Sequence, residues 1–532
     1  MFMITITAFS AIVLPIIFLV FLRFPAKTGM LYSAIIFISL AYFVWGVEGL
    51  PLIASIFEGF HQALTILFIL LGAIALLNAL RETGAVDRIN QGFRNISADM
   101  RIQVIIIAFL FGGLIEGASG FGTPAAVTGP LMVALGFSPI AAATLALIAN
   151  STPVPFAAVG TPLIIGTGNV EGAGPEMFQE IALNITMMDL LVGTLIPTIL
   201  IVVLTTGFGK TKGLKPVLAM LPWTLTIGAV YSVSALVYGI LFGPEFISIL
   251  APLTGLAFAT ITAKKNILLP KDTWQEAMKE DFQVKEEKSE MSLFTAWSPY
   301  FIVVVLLLFT RIVEPVEQFT QQALDATWTD IFGVEGITSS WEVLYSPGAV
   351  LLLAAFISVY IQGKKIKTFG TAIKQSSSTV VGAALALFPT LALVHVFVNS
   401  DFNTMSELGT MPEYIAEVMA AGLGSVWLFI APFLGLLGSF VTGSAVVSTL
   451  TFSPIQYNVA LEAGFDQNLI LAQQLAGAAG GNMICVHNVV AAAAVVGIVG
   501  SEGAIIRKTV LPAILYGLLV GVAGLLVNLI IL

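Results

Sequence analysis

Charge is what this sequence has least of: only 10% of its 532 residues are Asp, Glu, Lys or Arg, against 58% hydrophobic residues and a mean hydropathy of +0.99. Soluble domains carry about 25% charged residues, so a soluble globular fold is excluded. Cysteine is nearly absent as well. The single Cys485 permits no intrachain disulfide, and its apolar surroundings read as those of a small packed core thiol. Three histidines, His61, His395 and His487, with one cysteine leave no zinc cluster to be expected. No Walker loop or GxGxxG string offers a nucleotide site. Neither a metal nor a cofactor is expected, and any work the protein does must draw on an ion gradient.

What is present is apolar segments in number. About 20 apolar residues cross a bilayer as a helix, and segments of that kind lie near 3–22, 28–46, 60–80, 102–118, 138–168, 189–206, 217–241 and 246–262. More follow near 297–310, 347–362, 376–398, 426–437, 467–500 and 509–531, with 138–168 and 467–500 interrupted. The expected fold is an all-α polytopic membrane protein of about twelve to fourteen crossings with re-entrant segments. The first segment has no basic residue before its hydrophobic run and no small-residue cleavage site, so it reads as a retained helix.

Lysine and arginine collect on cytoplasmic loops and therefore test these crossings. Arg23 and Lys27, then Arg81 to Arg101, Lys210 to Lys215, Lys264 to Lys288, Lys364 to Lys374, and Arg507 with Lys508 all fall on one side. Arg311 is the exception, in a loop of 311–346 rich in acids. Other outer segments carry acids and no bases: Glu48 and Glu58; Glu171, Glu176 and Glu180; Asp401, Glu407, Glu413 and Glu417. Both termini then face outward. The formal net charge of −9 is split into a basic inner and an acidic outer face, which implies no nucleic-acid partner.

One hydrophilic insert, mixed in sign, lies within 264–296 and reads as a solvated cytoplasmic linker between transmembrane halves 1–263 and 297–532. Each half holds one stretch dense in Gly, Pro, Ser and Thr. The first runs from Gly112 to Gly168; the second comprises Gly435 to Pro454 and Leu475 to Gly497. Gly120 answers Gly443, Gly136-Phe137 answers Gly464-Phe465, and the break Asn150-Ser151-Thr152-Pro153 answers Gly480-Gly481-Asn482. By the charge map the first stretch runs inside to outside and the second outside to inside. Inverted repeats with interrupted helices in matching positions mark secondary transporters, which bind substrate near the midplane.

The string LIEGASGFGTP from Leu114 to Pro124, with GFSP and NSTPVPF after it, resembles the bacterial L-lactate permease family over nearly the whole chain. The resemblance implies proton-coupled uptake of lactate, often with glycolate accepted, across the plasma membrane. Lactate, a proton and membrane lipid are then the partners. A more distant similarity to the ion transporter superfamily implies polar hairpin tips at Ser119, Thr123, Asn150, Ser151 and Thr152, and at Thr442, Ser444 and Asn482. Asn488 joins them on chemistry, since a carboxylate and adjacent hydroxyl need donors and a polar partner. Helix N-termini at the breaks supply these without a buried arginine.

Coupling needs a group that gains and loses a proton inside a low-dielectric path. Glu116 in the first broken stretch, His487 beside Asn488 in the second, and His395 deep in its helix are the candidates. His61 and Asp189 fall near predicted helix ends, where a hydrated interfacial role is expected. Two rivals remain open at this stage. A sodium-coupled carrier of another small carboxylate would use the same Asn, Ser and Thr oxygens. An intramembrane enzyme would need a nucleophile with its base, and none stands out.

Overall fold

The computed structural model describes residues 2–120, 122–168, 170–211, 213–279, 291–405, 409–423 and 426–531, and among them the regular elements are all helices. In the first part α1 (Phe2–Pro15), α2 (Ala26–Leu40), α3 (Gly49–Thr83) and α4 (Ala85–Ile96) lead into α5 (Met100–Val104). α5 continues through π-helical turns into α6 (Gly112–Ser119), followed by α7 (Thr123–Ala134), α8 (Pro139–Ala149) and α9 (Ala157–Gly166). Then come α10 (Pro175–Asp189), α11 (Val192–Phe208), α12 (Lys215–Phe242) and α13 (Ile247–Lys264). The later part holds α14 (Leu293–Ile312), α15 (Glu314–Gln322), α16 (Pro347–Ile361), α17 (Ile366–Val398) and α18 (Met411–Leu423). It ends with α19 (Trp427–Thr442), α20 (Ala445–Ala463), α21 (Gln467–Gly481), α22 (Val486–Val495) and α23 (Glu502–Ile531).

Among the described residues nine helices are long and apolar enough to cross a bilayer, and three bent pairs raise the count to as many as twelve. The chain is thus a multi-pass membrane protein, at the lower edge of the number expected. The bent pairs are α8 with the segment 154–166 at 66°, α10 with α11 at 46°, and α21 with α22 at 41°.

Two of these pairs are entered by the same turn. Gly136 (φ +103°) lets the Phe137 N–H reach back to the Met132 carbonyl at 3.1 Å, and Ser138 then caps α8 by accepting from the Ala141 N–H. Gly464 (φ +73°) does the same for Phe465 and the Ala460 carbonyl at 2.9 Å, and Asp466 caps α21 from the Leu469 N–H. A left-handed glycine followed by a side-chain cap ends one helix and starts the next. The matching of Gly136-Phe137 with Gly464-Phe465 is therefore a matching of turns. The breaks that follow, at 150–153 and 482–485, also correspond.

The two parts pack reciprocally. α3 lies against α17 so closely that a Cβ on Gly59 would stand 2.4 Å from the Leu391 carbonyl oxygen. α16 meets α3 at Gly72 and Gly348, while α2 meets α17 with Phe37 and Phe397 centroids 6.3 Å apart. α8 packs on α23 and α10 on α21. Ser453 Oγ donates to the Gly166 carbonyl at 3.1 Å, tying α20 to α9.

Hydropathy alone misplaced several elements. α3 begins at Gly49 rather than near 60, and α17 at Ile366 rather than near 376. The apolar runs do not pick out α7, which is apolar but only 12 residues long, nor α10, α15, α18 and α20, whose Pro, Ser, Thr, Gln or acidic residues depress hydropathy although they are helical. Part of the insert is docked rather than free in solvent. Residues 271–279 form a strap docked on the ends of α5 and α7: the Trp274 carbonyl accepts from the Met100 N–H at 3.0 Å, and the Lys279 N–H donates to the Gly136 carbonyl at 2.8 Å. Arg101, expected in a loop, is fully buried there, with Nη2 2.6 Å from Asp99 Oδ2 and 3.3 Å from Asp272 Oδ2. Hydrogen bonds from the Thr211 hydroxyl and N–H hold the Glu276 carboxyl below its usual range. Lys285 and Lys288 lie outside the described residues.

Candidate functional site

The first tip is built where α6, α7 and α8 end or begin. α6 stops at Gly120 (φ +61°), Gly122 (φ +73°) reverses the chain, and Thr123-Pro124 starts α7. Side chains rarely adopt these backbone angles, so glycine is required. The approach is also close: a Cβ on Gly122 would lie 2.8 Å from Asn488 Oδ1. That contact brings the second broken stretch onto the first. α8 ends at Asn150, and Ser151 to Pro153 form the turn before the chain re-enters helix.

Glu116 sits one turn before Gly120, 1% exposed, with the Asn150 amide facing its carboxyl. Around it the polar atoms lack partners: Glu116 Oε2, Thr123 Oγ1, Asn150 Oδ1, Ser151 Oγ and Thr152 Oγ1 are all buried without a hydrogen bond from the protein. Leaving such a group unmatched costs about 1–3 kcal/mol each. Five together on two adjoining helix breaks form a surface suited to a small polar ligand. Ser119 ends α6, but its side chain lies outside the described residues.

The second tip is satisfied by its own backbone. Thr442 Oγ1 donates to the Gly438 carbonyl at 2.8 Å, and Ser444 Oγ caps α20 by accepting from the Val447 N–H at 3.3 Å. Asn482 Oδ1 accepts from Ser439 Oγ at 2.7 Å, and Asn488 Nδ2 donates to the Asn482 carbonyl at 3.3 Å. α22 starts after Cys485, which makes no side-chain cap, with His487 and Asn488 in its first turn. His487 covers Gly443 and lines a small cavity with Met30, Thr390 and Phe440. Cys485 is buried, as expected of a core thiol.

His395 belongs to a different cluster. Its Nδ1 is 3.0 Å from Glu58 Oε2, its Nε2 meets Gln62 Oε1, and Asn399 Nδ2 donates to the same Glu58 oxygen at 2.6 Å. These contacts join α17 to α3. His61 bonds Ser339 Oγ at 2.9 Å and packs edge-on against Trp328 and Trp341.

Asp189 is not at a hydrated helix end. It is 4% exposed, at the break between α10 and α11, in the electrostatic neighbourhood of Tyr231 and Tyr516. Tyr231 in turn lies in the neighbourhood of Thr152 and Ser248, without a hydrogen bond to Thr152 Oγ1. The interior place of Asp189 does not show in the sequence, because α10 carries Glu176, Gln179 and Glu180 in its first turns and does not read as part of a span. The available signal was an acid inside the apolar run MMDLLVG.

Helices broken in matching positions, meeting at buried polar tips within a bundle of membrane spans, define a membrane transporter. The L-lactate permease family model matches residues 4–531, and the chain belongs to that family. A putative L-lactate permease of Haemophilus influenzae is 29% identical over 97% of this chain and 98% of its own. The L-lactate permease of Bacillus subtilis is 28% identical over 97% of this chain and 94% of its own. Glycolate permease GlcA of Escherichia coli is 28% identical, covering 96% and 94%. Permeases are transporters rather than enzymes.

Proposed function

We propose that the protein is a proton-coupled carrier that takes up L-lactate, with glycolate and related 2-hydroxy monocarboxylates, across the bacterial plasma membrane. One observation carries the reading: a buried carboxyl, Glu116, stands among unpartnered oxygens of Thr123, Asn150, Ser151 and Thr152 where two broken helices meet. Lactate needs donors for its carboxylate and a polar partner for its hydroxyl. The hydroxyls of Thr123, Ser151 and Thr152 and the N–H groups at the starts of α7 and α22 supply the first. Asn150 Oδ1 supplies the second. Thr442, Ser444 and Asn482 shape the opposing wall, and Asn488 closes against Gly122. A proton on Glu116 balances the lactate anion, so the loaded site carries no net charge through the low-dielectric interior.

The segregation of basic and acidic loops supports inverted halves, 1–263 and 297–532 about the joining segment 264–296, with both termini outside. A second reading, sodium coupling, is favoured by one point: the five unpartnered atoms are all oxygens.

Proteoliposomes containing Glu116→Gln decide between them. Gln keeps the shape and hydrogen bonding of the protonated acid but cannot titrate. Lactate binding and exchange of labelled for unlabelled lactate should survive, while uptake driven by a pH gradient should be lost. Uptake by the variant at the unmodified rate would remove Glu116 from coupling. Wild-type uptake that requires sodium at fixed pH would establish the second reading instead.

A further inference from the structure

Asp189 plays no part in the site above, yet it is set where a working group would be. The bent span it interrupts runs from 175 to 208, so the acid stands near its middle. The ion pairs among the described residues join Arg101 to Asp99 and Asp272, and His395 to Glu58, which leaves Asp189 without a cation. Nor does its side chain form a hydrogen bond there.

The elements packed on α10 present few ionisable groups to it. α12 contributes Tyr231 and α23 contributes Tyr516. α9, α11 and α21 contain none. Glu245, in the turn after α12, lies beside Gln179, roughly 15 Å along α10 from Asp189. Glu502, Arg507 and Lys508 precede Tyr516 on α23 by roughly 12 Å or more. Polar neighbours are present: Ser232 Oγ, buried without a partner, and Asp189 Cγ would lie 2.6 and 3.6 Å from a Cβ on Gly193. Asp189 also stands between the two tips. Tyr231 links it toward Thr152, and the Tyr516 ring would touch a Cβ on Gly480, at the second break, at 2.9 Å.

An ionised carboxylate enclosed in such a place without a cation is costly. The span bends by 46° directly after Asp189, at 190–191. We propose that Asp189 is a second proton-carrying carboxyl, so that each cycle takes two protons with one lactate anion and moves one net positive charge inward. One O–H bond forms on Asp189 with a proton from outside water and breaks to inside water, in step with the same exchange at Glu116. This rests on the proton-coupled reading of the lactate site.

The test uses wild-type proteoliposomes with equal pH on both sides and a potassium diffusion potential set by valinomycin. With one net charge moved, an inside-negative potential of about 100 mV accumulates labelled lactate up to about fifty-fold. Asp189→Asn, a neutral isostere of the protonated acid, should keep pH-driven uptake but lose the response to potential. A wild type indifferent to potential, yet driven by a pH gradient, would overturn the proposal and leave Glu116 coupling intact; that measurement needs no variant. Asp189→Asn responding to potential like the wild type would overturn it too. If a pH gradient fails to drive wild-type uptake, the proton-coupled reading falls and this proposal with it.

Discussion

Removing a hydroxyl from the first tip should raise the stability of the empty protein and lower its affinity, a combination that a packing residue cannot produce. Thr123 Oγ1 and Ser151 Oγ are buried with no partner in the protein. Each unmatched group costs about 1–3 kcal/mol. Thr123→Val is isosteric and Ser151→Ala loses one atom, so most of that cost is relieved. At roughly 2.1 cal/mol/K of unfolding entropy per residue, the melting temperature of the ligand-free protein rises by about 1–3 °C. Lactate, however, loses a hydrogen bond to a charged group. That bond is worth about 1.5–3 kcal/mol, or roughly ten- to 150-fold in Kd. Thr442→Val gives the opposite pattern. Its hydroxyl is spent on the Gly438 carbonyl, so the variant should be destabilised by about 0.5–1.5 kcal/mol with lactate affinity unchanged. Thermal unfolding in detergent without lactate, paired with calorimetric titration, measures both quantities on each variant. If Thr123→Val and Ser151→Ala melt lower than wild type and bind lactate normally, the unpartnered oxygens are not a binding surface.

Two further predictions concern the frame around the site. Arg101→Ala leaves Asp99 buried and unpaired and should cost about 3–5 kcal/mol, read as loss of folded protein on size-exclusion chromatography, with Asp99→Ala/Arg101→Ala partly restoring it. Gly443→Ala puts a Cβ 1.9 Å from His487 Nδ1 at φ +71°, so it should lower the melting temperature. Adding His487→Ala should relieve the clash but not the backbone strain of about 1–2 kcal/mol, leaving the double variant between the single variant and wild type.

The sequence made the architecture readable where physics acts through long apolar runs or through single residues with forced geometry. Gly120, Gly136, Gly443 and Gly464 all have positive φ, so their correspondence in the sequence is a correspondence of real turns. The breaks at 150–153 and 482–485 were visible for the same reason. What stayed hidden was whether a polar atom is spent. Thr123 and Thr442 look alike in sequence, yet one hydroxyl is free and the other is bound to its own helix. His395 reads as a buried relay until Glu58, some 340 positions earlier, is seen to hold it. Asp189 reads as an interfacial group because α10, with Glu176, Gln179 and Glu180 in its first turns, has too low a hydropathy to register as part of a span. Trp274 and the strap escaped because docking depends on backbone hydrogen bonds to Met100 and Gly136, which no composition reveals.

The crossing of α3 by α17 sets a schedule for how the protein is made. About 300 residues separate the two helices, and at about 5–20 residues per second a ribosome needs roughly 15–60 s to cover that distance. During that interval Gln62 and Asn78 on α3 are already synthesised, while His395 and Ser376, which they meet in the finished bundle, do not exist. Glu58 waits likewise for His395 and Asn399. A nascent first half therefore holds polar groups inside an apolar helix with nothing to satisfy them, and the glycine faces at Gly59 and Gly72 stand open to lipid. Insertion of this chain into the bilayer and closure of its fold are separate events in time, and the second cannot begin until α16 and α17 leave the ribosome.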